Sequence, residues 1–191
     1  LPFIASALLV GVGLWVRLSI TETPVFQKIL DQQERVKVPM LAVLREHTRP
    51  LVLGTVIAIA TFVLFYLMTV FMLSWGTTAL KYPRSEFLIL QLFGILFFGR
   101  TIPLSALYAG RNGRRKTLLI VSAAIAVFGL FMAPLLGDGS PGNVVAVLAL
   151  GLALIGLTYG PMGTILAELF PASVRYTGAS LTFNLAGIFG A

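Results

Sequence analysis

Four cations stand within seven residues at 110–116, "GRNGRRK". The guanidinium groups of Arg111, Arg114 and Arg115 can fork onto a carboxylate or sit against the carbonyl end of a helix. One carboxylate is placed to answer them: Glu168, directly before "LFPASVR", whose last residue, Arg175, adds a further cation. This pattern offers ion pairing that can be made and broken, not bond chemistry. An enzyme would need a clustered nucleophile, base or metal set. The chain has no cysteine and a single histidine, His47, which excludes disulfides, thiolate nucleophiles and zinc clusters. No metal or cofactor is expected, and His47 reads as a surface histidine.

A second set of polar side chains lies inside apolar runs, where burial in lipid is costly and points to function. Arg100 is the most expensive. At about 1.5 Å per residue it lies about 20 Å from the outer end of its run and about 14 Å from the inner end. It would face an anionic substrate or snorkel toward the cytoplasm. Gln91, nine residues earlier, falls on the opposite helical face. Thr177, Ser180, Asn184 and Gly187 recur at spacings of three, four and three on one face. Thr55, Tyr66 and Thr69 fall within about 60° of each other by the same count. Hydroxyl and small residues also serve helix packing in membranes, so Asn184 and Tyr66, costlier to bury, are the stronger cavity candidates. Tyr159 beside Gly160-Pro161 predicts a bend, and Gly156 with Gly160 reads as a packing pair.

The elements that must position these residues are membrane helices. The chain is 58% hydrophobic with mean hydropathy +0.95 and only 11% charged residues, against about 25% in soluble domains. Six apolar runs, near 2–20, 50–75, 87–109, 117–136, 143–166 and 176 to the end, approach the roughly 20 residues that cross a bilayer. The fold class is therefore all-α and polytopic. Alternate links share a side of the membrane. One side receives Arg17, Lys28, Arg35, Lys37, Arg45, Arg49, Arg111, Arg114, Arg115, Lys116 and Arg175, eleven of fourteen basic residues; the other receives Lys81 and Arg84. The positive-inside rule makes the rich side cytoplasmic, so 21–49, 110–116 and 167–175 are cytoplasmic links. The net charge of +7 is then a topology signal and not a nucleic-acid footprint. Within 21–49, "TETPVFQKILDQQERV" has Thr23 at a cap position, Pro24 at a first helical position and Val25, Phe26, Ile29 and Leu30 at helical spacing, a surface amphipathic helix. The chain opens and closes inside apolar runs and reads as a piece of a longer protein.

"GRNGRRK" between two spans resembles the G-x-x-x-D-R-x-G-R-R signature of the major facilitator superfamily, in the copy carried by its second half. "YGPMGTILAELFPASVRYTGAS" (159–180) resembles the end of the tenth helix and the start of the eleventh, and "LSITETPVF" (18–26) the segment after the sixth. Together they resemble the metabolite:proton symporters, the group of shikimate, α-ketoglutarate and proline/betaine permeases. The resemblance implies a bacterial inner-membrane transporter. The runs would be about helices 6–11 of twelve: 1–20 the last helix of the first half, 21–49 the connector, and 50–191 five helices of the second half. It also implies a cytoplasmic gate network in which Arg111, Arg114, Arg115 and Arg175 pair with Glu168. Gly110 stands where the signature has its acid, and Ala106 where it often has glycine. Uptake of a small organic anion or zwitterion, coupled to protons and performed by a monomer, is the expected activity. All seven acids lie in links or near run ends, so the coupling group is expected in the missing first half. A drug exporter or uniporter of the same superfamily is the alternative. A sugar porter is disfavoured, because the second run has no glutamine, asparagine or tryptophan before Trp75 and the fifth has none after Asn143.

Overall fold

Apolar runs of this length satisfy their backbone groups internally by forming helices, the spanning structure open to them in lipid short of a closed barrel. The computed structural model describes residues 2–19, 38–137 and 139–191. Among these, helices span Pro2–Ser19 (α1), Pro39–Glu46 (α2), Thr48–Thr78 (α3), Arg84–Asn112 (α4), Arg114–Leu136 (α5), Pro141–Glu168 (α6) and Arg175–Gly190 (α7). Helices α3 to α6 are each long and apolar enough to cross a membrane. The chain divides into two compact units, 1–38 and 39–191. In the first, α1 carries exposed Val10, Trp15 and Leu18; the amphipathic helix expected at 21–36 lies outside the described residues.

The second unit follows the expected spans with longer helices and shorter links. The 110–116 segment is almost wholly helical: α4 runs to Asn112, α5 begins at Arg114, and Gly113 alone turns the chain, at φ +90°. A residue with a Cβ is strained there, which accounts for glycine at the reversal. Gly110, the position where the signature has an acid, lies inside the last turn of α4. At the opposite end, Ser140 caps α6 by accepting a hydrogen bond from the Asn143 amide, with Pro141 in the first turn. Two contacts fix which links share a side. Tyr82 Oη donates to the Gly139 carbonyl at 3.2 Å, joining the α3–α4 and α5–α6 links. Arg114 meets Glu168, joining the α4–α5 and α6–α7 ends. Within 39–191 the alternation read from the charges is therefore the arrangement observed.

Close backbone approach sets the packing. A methyl group on Gly160 would stand 2.5 Å from the Ile102 carbonyl oxygen, and one on Gly156 2.5 Å from that of Phe98, so these glycines let α4 lie against α6. Pro161 does not break α6. Proline has no N–H to give the carbonyl four residues back, and Ser105 of α4 donates its hydroxyl to that carbonyl, of Leu157. Thr101 Oγ1 reaches the Ala153 carbonyl at 3.0 Å in the same way. Along α3, α7 lies with Thr182 beside Gly54 and Gly190 beside Ile59 and Val63. One apolar core gathers Met68, Met72, Phe87, Leu148 and Ile155, and a smaller one joins Ala58, Met162, Leu166 and Ala186.

Helix α3 contains one π-helical turn, Leu67–Phe71, which the sequence pattern did not announce. Such a turn widens the helix by a residue, so positions before and after it lose their common face. Thr69, inside the turn, is moved off the face of Tyr66; Thr55 and Tyr66 both precede it and differ instead in their neighbours, so the three do not form one stripe. Thr55 is buried and donates to the Leu51 carbonyl, Tyr66 is exposed toward α7, and Thr69 lies toward α4.

Candidate functional site: a cytoplasmic ion pair and a cavity between four helices

The first turn of α5 and the last turn of α6 end at the same membrane face, and the Arg114 guanidinium bonds to Glu168 Oε1 there. Their side chains are 39% and 54% exposed, so water reaches the pair. Arg115 lies on the same groove. Arg175 Nε is 3.4 Å from the Phe170 carbonyl and donates to it, tying the α6–α7 link to the start of α7. Arg111 is exposed at the end of α4. Of the four expected arginines, then, one is brought to Glu168 with an ion pair, one flanks it, and two stand elsewhere on this face.

A groove of about 510 Å³ opens between α3, α5 and α6 at this pair. Its walls are apolar, with Ile57, Leu118 and Ile165 among them, and at its inner end lie Thr61 and Thr158. Thr158 Oγ1 donates to the Ile155 carbonyl at 2.8 Å. Thr61 is 3% exposed, and its hydroxyl is the one buried side-chain oxygen or nitrogen among the described residues without a hydrogen-bond partner.

Beyond Thr61 a smaller cavity of about 240 Å³ is lined by rings from four helices: Phe62 and Phe65 of α3, Phe98 of α4, Tyr159 of α6 and Phe183 of α7. Ring centroids run Phe98–Tyr159 at 6.0 Å, Tyr159–Phe183 at 6.2 Å and Phe183–Phe62 at 4.9 Å, with interplanar angles of 63°, 76° and 71°. Tyr159 thus sits where the Gly160-Pro161 pair directed attention. The Thr61 hydroxyl and the partner rings were not singled out from sequence, because each comes from a different helix. The one local signal was the i, i+4 pairing of Thr61 with Phe65 and of Phe62 with Tyr66.

Tyr66 and Asn184 share a third, open recess of about 380 Å³ with Phe62, Phe183 and Gly187. Asn184 Nδ2 donates to the Ser180 carbonyl at 2.8 Å, and both residues are exposed on α7. The packed face of α7 is instead Gly178, Thr182, Ala186 and Gly190. Gln91 is 8% exposed and spends its amide N–H groups on the Met68 and Thr69 carbonyls, at 3.0 and 2.8 Å, inside the π turn of α3. That bonding binds α4 to α3. Arg100 is exposed on α4. It stands one residue before the α6-facing Thr101, about 100° around the helix, and is absent from the lining of the aromatic cavity.

The family model described as "Sugar (and other) transporter" matches residues 19–191. The "Inner membrane metabolite transport protein YhjE" of Escherichia coli (strain K12) is 48% identical over 195 residues, covering 100% of this chain and 44% of that protein. The "Proline/betaine transporter" of the same strain is 27% identical over 197 residues, covering 97% of this chain and 39% of that protein. The chain therefore spans less than half the length of these relatives. No solved structure matches it. Spanning helices on alternating sides, a basic one-residue reversal paired to an acid across the bundle, and a match over residues 19–191 agree: the chain belongs to the sugar (and other) transporter family of the major facilitator superfamily.

Proposed function

We propose that the intact protein is a secondary active transporter of the bacterial inner membrane that takes up a small organic metabolite, an anion or a zwitterion, by alternating access coupled to protons. The observation that carries the reading is the Arg114–Glu168 pair, which joins α5 to α6 at the mouth of a groove leading toward the membrane interior. Such a pair biases a two-state equilibrium toward the closed mouth and is lost when the mouth opens. Arg115, Arg111 and Arg175 supply positive charge around it. Metabolite and proline/betaine transport in the names of relatives supports a small polar solute. Among the described residues every acid lies at or near a helix end, so the proton carrier belongs to the half of the relatives' length that this chain does not span. The solute, the proton and the bilayer are its partners, and a monomer suffices.

The test uses the intact protein in proteoliposomes with a trapped pH dye and an imposed inward proton gradient. A panel of mono- and dicarboxylates, betaines and sugars is added. Solute-triggered acidification of the lumen is the expected result. Labelled solute crossing with no proton movement would overturn the coupling and leave a uniporter or exporter of the same superfamily.

A further inference from the structure

Helix α3 departs from α geometry at one place, and the departure leaves a carbonyl to be answered. In an α-helix the Met72 amide donates to the Met68 carbonyl, four residues back. Here it donates to the Leu67 carbonyl instead, so Met68 loses its helical donor. Gln91 of α4 supplies another: its amide nitrogen lies 3.0 Å from the Met68 carbonyl oxygen and 2.8 Å from that of Thr69. Reversing the amide would set its oxygen against two carbonyl oxygens, so the network selects this orientation. Gln91 is 8% exposed and Met68 is fully buried, where a carbonyl without a partner is costly. The residues of the turn, Leu67–Phe71, are apolar apart from Thr69, and nothing in their types favours π over α. The preference comes from α4.

A second contact of α4 fixes the register beyond the turn. A π turn holds one residue more than the α turn it replaces, so residues 72–78 sit about 100° and about 1.5 Å short of where an unbroken α-helix would carry them. In that seating Met72 and Gly76, one turn apart, are buried. The Phe87 ring lies in the notch at Gly76, with no room for a Cβ between them. If the turn became α, each residue would advance to the angular place of the next. Phe71 and Trp75 would then occupy the buried places that Met72 and Gly76 hold now.

We propose that α3 is a two-register element: Gln91 is the positioning residue that holds the π register, and its release turns the outer segment, 72–78, by one residue against α4. Ser74 and Thr77 turn with that segment, so the helix presents a different polar face in each register. The inner part of α3 stays in place, held where Gly190 of α7 meets Ile59 and Val63. In each passage between registers the amides after the turn exchange one carbonyl for another and are open while they do so. All of these contacts lie between helices of this chain, and the switch is independent of which solute is carried.

The experiment is disulfide trapping in the full-length protein in its membrane, with any cysteines outside 1–191 replaced by serine; this chain has none. Two pairs are compared, Gly76→Cys with Phe87→Cys and Trp75→Cys with Phe87→Cys, so that loss of the ring is common to both. With Gln91 in place the first pair should close about tenfold faster than the second, since the Cβ vectors of the second diverge. Gln91→Leu should lower that ratio by about tenfold or more. Deleting Val70 removes the extra residue, so an unbroken α-helix then seats Gly76 where it is now and leaves Gln91 no carbonyl to answer. Combined with Gln91→Leu, the deletion should restore the preference for the first pair. A ratio unmoved by Gln91→Leu, a second pair that closes faster with Gln91 in place, or a deletion that does not restore the first pair overturns the two-register element. Should Gln91→Leu alone fail to fold, the deletion decides: a folded double variant with the first pair preferred supports the switch, and an unfolded one overturns it.

Discussion

Replacing Glu168 by Gln keeps the shape of the side chain and removes the charge that Arg114 meets, which tests the proposal that the pair holds the cytoplasmic mouth shut. The size of the effect follows from exposure. Arg114 and Glu168 are 39% and 54% exposed, and water-screened pairs of this kind contribute about 0.2–1 kcal/mol. At about 1.4 kcal/mol per tenfold, Glu168→Gln should raise the ratio of inward-open to closed molecules by about 1.4- to 5-fold. A fully buried pair stripped of one partner would cost about 3–5 kcal/mol, a change of more than a hundredfold, so the two cases are well separated. The assay is pulsed electron–electron distance measurement on the intact transporter, with spin labels on cysteines introduced at the cytoplasmic ends of the two halves. This chain has no cysteine of its own to interfere. The double exchange Arg114→Glu with Glu168→Arg should return most of the closed population. A shift above about thirtyfold on Glu168→Gln, or an exchange that leaves the mouth as open as the single variants, would refute the reasoning.

Gly160→Ala, whose new methyl would meet the Ile102 carbonyl at 2.5 Å, should destabilise the protein by about 1–3 kcal/mol, seen as earlier loss of the monodisperse peak on heating in detergent. Gly163→Ala, in the same helix with nothing within 4 Å of the new carbon, should be neutral or stabilising by up to about 1 kcal/mol; equal losses at both sites would remove the close-approach explanation. Ser105→Ala leaves the Leu157 carbonyl above Pro161 without its donor and should cost about 0.6–2 kcal/mol, read in the same heating assay. Gln91→Leu strips two donors from the π turn, and deuterium uptake should rise in peptides covering 67–73 while those covering 148–156 stay unchanged.

The helices, their sides and the pairing at one end were legible because the signals are local. Twenty apolar residues, a glycine between arginines and a count of cations per link each speak for themselves, and Gly113 at φ +90° is where the basic link was expected to reverse. Helix ends were less legible: the 110–116 link proved helical up to Gly113 because its polar residues have no need to leave the helix. Pro161 lies inside a helix that runs on to Glu168, and the donor that answers the carbonyl it leaves free, Ser105, is 52 residues away in sequence. The π turn carries no residue signature, and by shifting register it separated Tyr66 from Thr69. The aromatic cavity was illegible for a different reason. Its rings come from four helices, and each alone is an ordinary core phenylalanine or tyrosine.

The position of that cavity follows from how the helices pair. Gly94, Gly156 and Gly160 bring α4 against α6 backbone to backbone, Gly190 brings α7 against the α3 backbone at Ile59 and Val63, and Gly54 receives the Thr182 side chain of α7. The seam between the pairs is made of side chains. Toward the outer end it is filled by Met68, which lies in the notch that Gly151 leaves beside Phe128. Toward the cytoplasmic end it is filled by Leu166 and Leu169 against Gly54. Between those plugs stand Thr61 on one pair and Thr158 with Tyr159 on the other, and there the seam is hollow. Glu168 stands at the end of α6, two residues beyond Leu166. The hollow and the ion pair are thus both built on α6, a helix continuous across its proline, where Ser105 donates to the Leu157 carbonyl.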